Sequence, residues 1–264
     1  METQVEPNKI EKNFSRFSSS YNLYADIQRS ASKKLLKFLE PDTILLSSLP
    51  ILEIGCGTGL LSEGLAECFP SHKIIFSDIS SKMLHQCRSN IGKSWTDADR
   101  FEFQLIDGER ISVKNNYSMI ISGFTFQWFS ELNSSLEKMK EALSQGGIIA
   151  FSIPVEGSFP EWEKACRRLN IPFRANTLPD ALILINWFKK KGWNVKYLVE
   201  ELRCIYPSAI YFFRSIKNIG AATSLDGKPL SAGQMKKLCN HMDSESESEF
   251  KITYRVLYCS LIFY

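Results

Sequence analysis

The stretch Ile51-Leu52-Glu53-Ile54-Gly55-Cys56-Gly57-Thr58-Gly59-Leu60-Leu61 decides the fold. An apolar run with strand character leads into three glycines at alternate positions, and a helical pattern follows. Glycine has no Cβ, so it tolerates a positive φ and lets the backbone approach a bound molecule closely. The stretch therefore predicts a strand–turn–helix unit that binds a nucleotide-like cofactor, with Cys56 as a small filler inside the turn.

The glycine spacing narrows the choice of cofactor. Dinucleotide sites favour G-x-G-x-x-G, whereas this chain has G-x-G-x-G, and no Gly-Lys-Ser/Thr follows to make a phosphate loop. Glu53 lies just before the glycines, which suits a cofactor carrying a positive sulfonium and an amino group better than a pyrophosphate. A second strand ends at Asp78, 23 residues after Gly55, where a carboxylate can hold ribose hydroxyls. The alternative is that the glycines mark only a tight turn.

These residues together resemble motif I of class I S-adenosylmethionine-dependent methyltransferases. The segments that follow fit this resemblance, because strand and helix patterns alternate in βαβ fashion. Strands are predicted at 51–55, 73–77, 101–106, 117–122 and 147–153, with helices at 59–68, 80–91 and 133–144. The predicted fold class is α/β, with a Rossmann-like, doubly wound and mainly parallel sheet of seven strands.

The periphery of the predicted domain is helical. We expect one domain over residues 1–264, with an N-terminal helical cap at 8–40 and an inserted helical lid at 156–193. The remaining elements are predicted as a strand at 194–206, helices at 208–218 and 231–242, and a last strand at 250–264. Ligands bind at the carboxyl ends of parallel strands. Gly55, Asp78, Asp107 and Ser122 all fall at such ends, so we expect them to converge on one site.

Composition excludes several classes of protein. The 264 residues are 44% hydrophobic and 23% charged, with a net charge of only +3, so a nucleic-acid partner is not expected. The seven cysteines include no C-x-x-C pair and predict neither a disulfide framework nor a metal site. The start of the chain lacks the pattern of a secretory signal, and no apolar run approaches the ~18 residues of a membrane span. A cytoplasmic protein without a membrane partner is the expectation.

Three peripheral segments identify a narrower family. They are Asn13-Phe14-Ser15-Arg16-Phe17 with Tyr21 and Ala25-Asp26-Ile27-Gln28, then Ser122-Gly123-Phe124-Thr125-Phe126-Gln127-Trp128, and Arg214-Ser215-Ile216-Lys217-Asn218-Ile219-Gly220-Ala221. Together they resemble the BioC family, the malonyl-[acyl-carrier protein] O-methyltransferases of biotin synthesis. The resemblance covers nearly the whole chain, and the serines at 18–20 are its mild departure from the family pattern.

The resemblance implies an activity and a set of site residues. It implies methylation of the free carboxylate of a malonyl thioester on acyl-carrier protein, with S-adenosyl-L-methionine as cofactor. The implied cofactor-binding residues are Glu53, Gly55, Cys56, Gly57, Gly59, Asp78, Ile79, Met83, Asp107, Gly108 and Ser122. The implied substrate-binding residues are Gln28, Phe124, Gln127 and Trp128.

The implied chemistry favours a carboxylate clamp. A carboxylic acid with a pKa near about 4 is already ionised at neutral pH, so the reaction needs orientation and no general base. Tyr211, Arg214 and Lys217 are three residues apart and share one face of a predicted helix. We expect Arg214 to hold the carboxylate, with Lys217 second and Tyr21 donating a hydrogen bond. The alternative is that the two cations only stabilise the dipole of their helix.

An acidic carrier protein needs a basic docking surface. The sequence offers Lys164, Arg167 and Arg168 on one predicted helix and Lys189-Lys190-Lys191 at the end of the next, although such runs are also common on solvated helix faces.

Other functions remain open on sequence alone. A methyltransferase for another small acid or a quinone precursor would share the cofactor motif but not the block at 214–221. A nucleic-acid amino-methyltransferase is disfavoured because no Pro-Pro-aromatic motif follows the fourth strand. A binding module that has lost catalysis is disfavoured by the intact Glu53, Gly55, Gly57 and Asp78.

Overall fold

The computed structural model describes residues 7–39, 47–91, 98–221, 229–246 and 249–262. Its strands are β1 (Ile51–Ile54), β2 (Ile74–Asp78), β3 (Phe101–Leu105), β4 (Tyr117–Gly123), β5 (Leu143–Pro154), β6 (Asn194–Tyr206) and β7 (Phe250–Ile262). Its helices are α1 (Pro7–Phe17), α2 (Asp26–Leu39), α3 (Ser62–Cys68), α4 (Ser81–Ile91), α5 (Leu132–Ala142), α6 (Pro160–Leu169), α7 (Ala181–Lys190), α8 (Ala209–Asn218) and α9 (Ala232–Ser244).

The strands form one sheet in the order β3-β2-β1-β4-β5-β7-β6. The first five pair in parallel, and β7 runs antiparallel to both β5 and β6. The strand order reverses between β1 and β4, and ligands of open α/β sheets bind outside the strand ends at such a point. The predicted fold class is confirmed, and it puts the glycine loop after β1 at the expected binding position.

Helices cover both faces of the sheet because β1, β2 and β4 are buried on both sides. Residues of α2, α3 and α4 pack in one core, and residues of α5 and α7 pack in a second core on the opposite face. The second core includes Leu184, Ile185 and Phe188 of α7. Within the predicted lid at 156–193, α7 packs on the sheet, and the lid itself stays a prediction.

Side-chain caps explain where several helices begin. Asp180 accepts hydrogen bonds from the backbone of Leu182 and Ile183 at the start of α7, and Ser208 caps α8 in the same way. Ser231 and Gln234 form a reciprocal capping box at α9.

Two predicted boundaries differ from the structure by three residues or more. The helix after the glycines begins at Ser62 rather than at 59, because the turn that carries the glycines extends through Leu61. Strand β5 begins at Leu143, whereas the pattern predicted 147. The predicted last two residues of the final strand, 263–264, lie outside the described residues. In the described part of the chain, no helix combines the length and the apolarity that a membrane crossing requires.

Candidate active site

Three glycines shape the loop after β1, for two physical reasons. Gly55 has φ +67°, and a Cβ there would lie 2.3 Å from Oγ1 of Thr125. Gly59 has φ +95°, and its Cβ would lie 3.3 Å from Sγ of Cys87. At Gly57, with φ +57°, a Cβ would meet open space. Gly55 and Gly59 thus permit close packing, while Gly57 leaves room for a ligand beside the loop.

Asp78 lies at the end of β2 and braces this loop. Its carboxylate accepts hydrogen bonds from the backbone N–H of Gly57 at 2.9 Å and of Ser80 at 2.8 Å. Burial raises the pKa of Asp78 to about 6, although the backbone hydrogen bonds oppose that rise. The carboxyl group faces the cavity described next, where it is available to a ligand.

A cavity of about 100 Å³ lies against the loop. Seven of the predicted cofactor-binding residues line it: Gly55, Gly57, Asp78, Ile79, Met83, Asp107 and Gly108. Asp107 also accepts a hydrogen bond from the backbone of Glu109 and pairs with Arg110, so its carboxylate caps the short 3-10 turn at Gly108–Arg110 as well.

Four predicted cofactor-binding residues do not line this cavity. The hydroxyl of Ser122 is buried and donates to the carbonyl of Ile54 at 2.9 Å, so Ser122 joins β4 to β1. Gly59 packs against α4, and Cys56 is buried in the first core. These three residues have structural contacts, and their contact with a ligand stays a prediction.

Glu53 is the fourth, and its environment is unusual. It lies in β1, it is buried, and no described residue partners its Oε2 atom. Burial raises the pKa of Glu53 to about 8, and the nearby Asp78 adds to the rise while Ser62 lowers it. The side chain of Glu53, just before the glycine loop, therefore favours its protonated form at neutral pH.

A second and larger cavity, of about 550 Å³, adjoins the first. The two cavities share the lining residues Phe14, Tyr21, Phe124 and Trp128. The rings of Phe14 and Trp128 meet edge to face at 5.6 Å, which ties α1 to the 3-10 turn at Phe126–Trp128. The two cavities therefore adjoin at these aromatic side chains.

All the predicted substrate-binding and catalytic residues line the larger cavity. They are Tyr21, Gln28, Phe124, Gln127, Trp128, Arg214 and Lys217. Among the described residues its lining contains three cations, Arg174, Arg214 and Lys217, and no aspartate or glutamate. Arg214 and Lys217 are exposed, and neither has a hydrogen bond or ion pair with another described residue. The cavity is thus mainly apolar, with a positive edge that suits an acyl group bearing a carboxylate.

Tyr21 lies where the two cavities meet. Burial raises the pKa of its phenol well above the ordinary value, and the charge of Asp78 raises it further. Tyr21 is therefore protonated at neutral pH, and its phenol has a hydrogen to donate.

Known proteins that resemble this chain are methyltransferases. The model of a family described as "Methyltransferase domain" matches residues 51–147. A malonyl-[acyl-carrier protein] O-methyltransferase of Magnetococcus marinus is 30% identical over 95% of this chain and 90% of its own. The chain belongs to the malonyl-[acyl-carrier protein] O-methyltransferase family.

Further relatives agree with membership of the malonyl-[acyl-carrier protein] O-methyltransferase family. A second malonyl-[acyl-carrier protein] O-methyltransferase, from Ilyobacter polytropus, is 29% identical over 97% of this chain and 92% of its own. The fold is also that of the magnesium protoporphyrin IX methyltransferase of Synechocystis PCC 6803, solved with S-adenosylhomocysteine, at a TM-score of 0.54 and 13% identity over 89% of this chain and 83% of that one.

Sequence reasoning missed several residues of the larger cavity in this family member. They include Phe14, Phe159, Trp162, Arg174 and Tyr254. Phe159 and Phe124 share a rare feature, because their φ angles of +65° and +54° lie in the left-handed region that glycine favours. The sequence Glu156-Gly157-Ser158-Phe159-Pro160 contains no signal that shows where the ring of Phe159 points.

Proposed function

We propose that this chain methylates the free carboxylate of a malonyl thioester on acyl-carrier protein, a step of biotin synthesis, with S-adenosyl-L-methionine as methyl donor. Family membership supports the reaction class. The single observation that carries the proposal is the larger cavity, whose described lining has three cations and no acid and which adjoins the smaller cavity lined by Gly55 and Gly57. We assign the reaction to the cytoplasm, where an acyl-carrier protein and the cofactor are both available.

The residues of the smaller cavity suit the cofactor. Gly57 leaves open space beside the loop, and the carboxyl group of Asp78 is positioned to accept hydrogen bonds from ribose hydroxyls. We assign Ile79 and Met83 to the faces of the adenine and Asp107 with Gly108 to its amino edge. The unpartnered Oε2 of Glu53 offers an acceptor under the loop on the methionine side. When bound, S-adenosyl-L-methionine supplies an electrophilic methyl group.

The larger cavity then has to orient a carboxylate. Arg214 presents a planar guanidinium that can bind two carboxylate oxygens at once, and Lys217 adds a second positive charge. Tyr21 donates its phenolic hydrogen at the junction of the cavities. A malonyl carboxylate is ionised at neutral pH, so no proton has to be removed and the protein contributes through proximity and orientation.

The N-terminal cap is proposed as the closing element of this site. Ile10, Phe14 and Tyr21 line the smaller cavity, whose roughly 100 Å³ is below the roughly 300 to 1,000 Å³ of pockets that take small ligands. We propose that α1, which carries Ile10 and Phe14, moves outward to admit the cofactor. After closure, Phe14 and Trp128 exclude water from the reacting atoms.

Mass spectrometry of the carrier protein tests the proposal. Malonyl-loaded acyl-carrier protein is incubated with the enzyme and S-adenosyl-L-methionine, and we expect one added methyl group on the malonyl group. Acetyl-loaded carrier, which has no free carboxylate, is the matched control and should gain no methyl group. Absence of transfer to the malonyl-loaded carrier, or equal transfer to both carriers, would contradict the proposed function.

A further inference from the structure

Exposed apolar side chains lie on the elements that line the larger cavity or pack against its lining residues. Leu23 is 72% exposed, and Phe173, Ile210 and Tyr211 are 38–40% exposed. Ile210 lines the cavity itself, and the ring of Tyr211 lies 6.1 Å from that of Tyr24. We call the group Leu23, Tyr24, Phe173, Ile210 and Tyr211 the mouth surface.

The members of the mouth surface come from three separate segments that meet at this cavity. Leu23 belongs to the same 3-10 turn as Tyr21, which lines both cavities. The ring of Phe173 packs edge to face on that of Trp162 at 4.9 Å, and Trp162 lines the larger cavity. The mouth surface is thus continuous with the substrate cavity.

Two exposed cations lie beside Ile210 and Tyr211 of the mouth surface. Arg214 and Lys217 follow Ile210 and Tyr211 on the same helix, and no acidic residue lines the cavity within the described part of the chain. A partner that meets this surface therefore needs apolar side chains flanked by negative charges.

The basic clusters predicted from sequence fit docking less well. Arg167 pairs with Glu163 at 2.9 Å, Arg168 pairs with Glu245, and Lys191 pairs with Glu137 at 3.0 Å. An exposed cation that already has an acidic neighbour offers little net charge to a partner. In addition, Lys189, Lys190 and Lys191 lie at the end of α7, which packs in the second core.

We propose that the acidic carrier protein docks on the mouth surface, with Leu23 and Tyr211 as apolar contacts and the cations of α8 facing its acidic residues. This inference rests on the proposed function. A thioester arm has to enter the larger cavity through its open end, so its carrier must sit at that end. The mouth surface supplies the apolar core and charged edge that specific interfaces use.

Substitutions at Leu23 test the docking site, since Leu23 is exposed and lines neither cavity. We expect Leu23→Glu to raise the Kd for unloaded acyl-carrier protein and the KM for malonyl-loaded carrier about tenfold, which corresponds to about 1.4 kcal/mol. Leu23→Arg should change both values much less, because its charge is opposite to that of the carrier. With malonyl-coenzyme A, which has no carrier protein, all Leu23 variants should match the wild type.

Two control variants make the test specific. Ile183→Glu puts the same charge at an apolar residue of α7 that is 70% exposed, and Lys164→Glu reverses a charge in one of the rival clusters. Both should leave the Kd for the carrier unchanged. Loss of carrier binding in Lys164→Glu but not in Leu23→Glu would overturn the proposal, as would equal losses with the carrier and with malonyl-coenzyme A. The Kd needs no turnover, so it judges docking even if wild-type enzyme fails to methylate the carrier, a failure that would count against the proposed function alone.

Discussion

The backbone N–H of Gly57 donates a hydrogen bond to Oδ2 of Asp78 across 2.9 Å. This bond joins the loop after β1 to the end of β2, so the two parts of the proposed cofactor site depend on each other. A ribose that binds Asp78 therefore meets a carboxylate that the protein has already oriented.

Replacement of Asp78 by alanine should weaken binding of S-adenosyl-L-methionine roughly ten- to hundredfold, because a hydrogen bond to a charged group contributes about 1.5 to 3 kcal/mol. Titration calorimetry on the purified variant measures the change, and circular dichroism should still show the folded protein. Asp180→Ala is the control, since it removes only the cap of α7 and should lower stability without changing cofactor affinity. Normal affinity in Asp78→Ala would mean that the ribose is held elsewhere.

Glu53 should make the cofactor-free protein less stable as the pH rises. Burial raises its folded pKa from 4.5 to about 8, so the folded state holds a proton that the unfolded chain releases. The stabilisation is fully present below about pH 4.5 and is lost as the pH rises through about 8. Urea denaturation of wild type and Glu53→Gln between about pH 5 and pH 9 tests this, because glutamine cannot titrate. The wild-type stability should fall relative to the variant across that range, and parallel curves would contradict a buried protonated Glu53.

Arg214→Ala should lower turnover of the malonyl thioester about 100-fold, because an unclamped carboxylate loses its alignment. Cofactor affinity should barely change, and the methyl ester should bind less tightly to wild type than the free acid does. Arg214→Lys should restore only part of the activity, since an ammonium group cannot bind two oxygens in the plane of a guanidinium. Arg167→Ala, which removes an exposed cation paired within its own helix, is the control. Near-normal turnover in Arg214→Ala would leave that arginine as a helix-end cation only.

At Phe159, the glycine variant should be more stable than the alanine variant, which is the reverse of the usual order. Its ring packs 4.8 Å from that of Tyr254, and both variants lose that contact. Only glycine relieves the backbone strain at φ +65°, so Phe159→Gly should be about 1 kcal/mol more stable than Phe159→Ala. Urea denaturation measures the difference. Phe173, which has no positive φ, is the control, and its glycine variant should be no more stable than its alanine variant. Both Phe159 variants should also lose activity, because the ring forms part of the cavity wall.

The fold was predictable because its signals are local. Glycines at alternate positions, a carboxylate at the end of β2 and alternating strand and helix patterns predicted the sheet, and the peripheral segments identified the family. Gly55, Gly57 and Asp78 line one cavity in the structure. The predictions from sequence that are confirmed are the fold class, the family, the methyltransferase activity and its cofactor. The individual site assignments and the N-terminal cap stay predictions.

Strand and turn patterns depend on neighbouring residues, so they predict which backbone positions lie at the strand ends. The side chains that reach the cavities are known only from the folded structure. In the folded chain Ser122 donates to the carbonyl of Ile54, α7 packs on the sheet, and Arg168 pairs with Glu245, 77 residues away in sequence. Folding also brings Phe14 and Phe159 to one cavity from opposite halves of the chain. Side-chain direction and ion pairing depend on residues far apart in sequence, and packing alone brings such residues together.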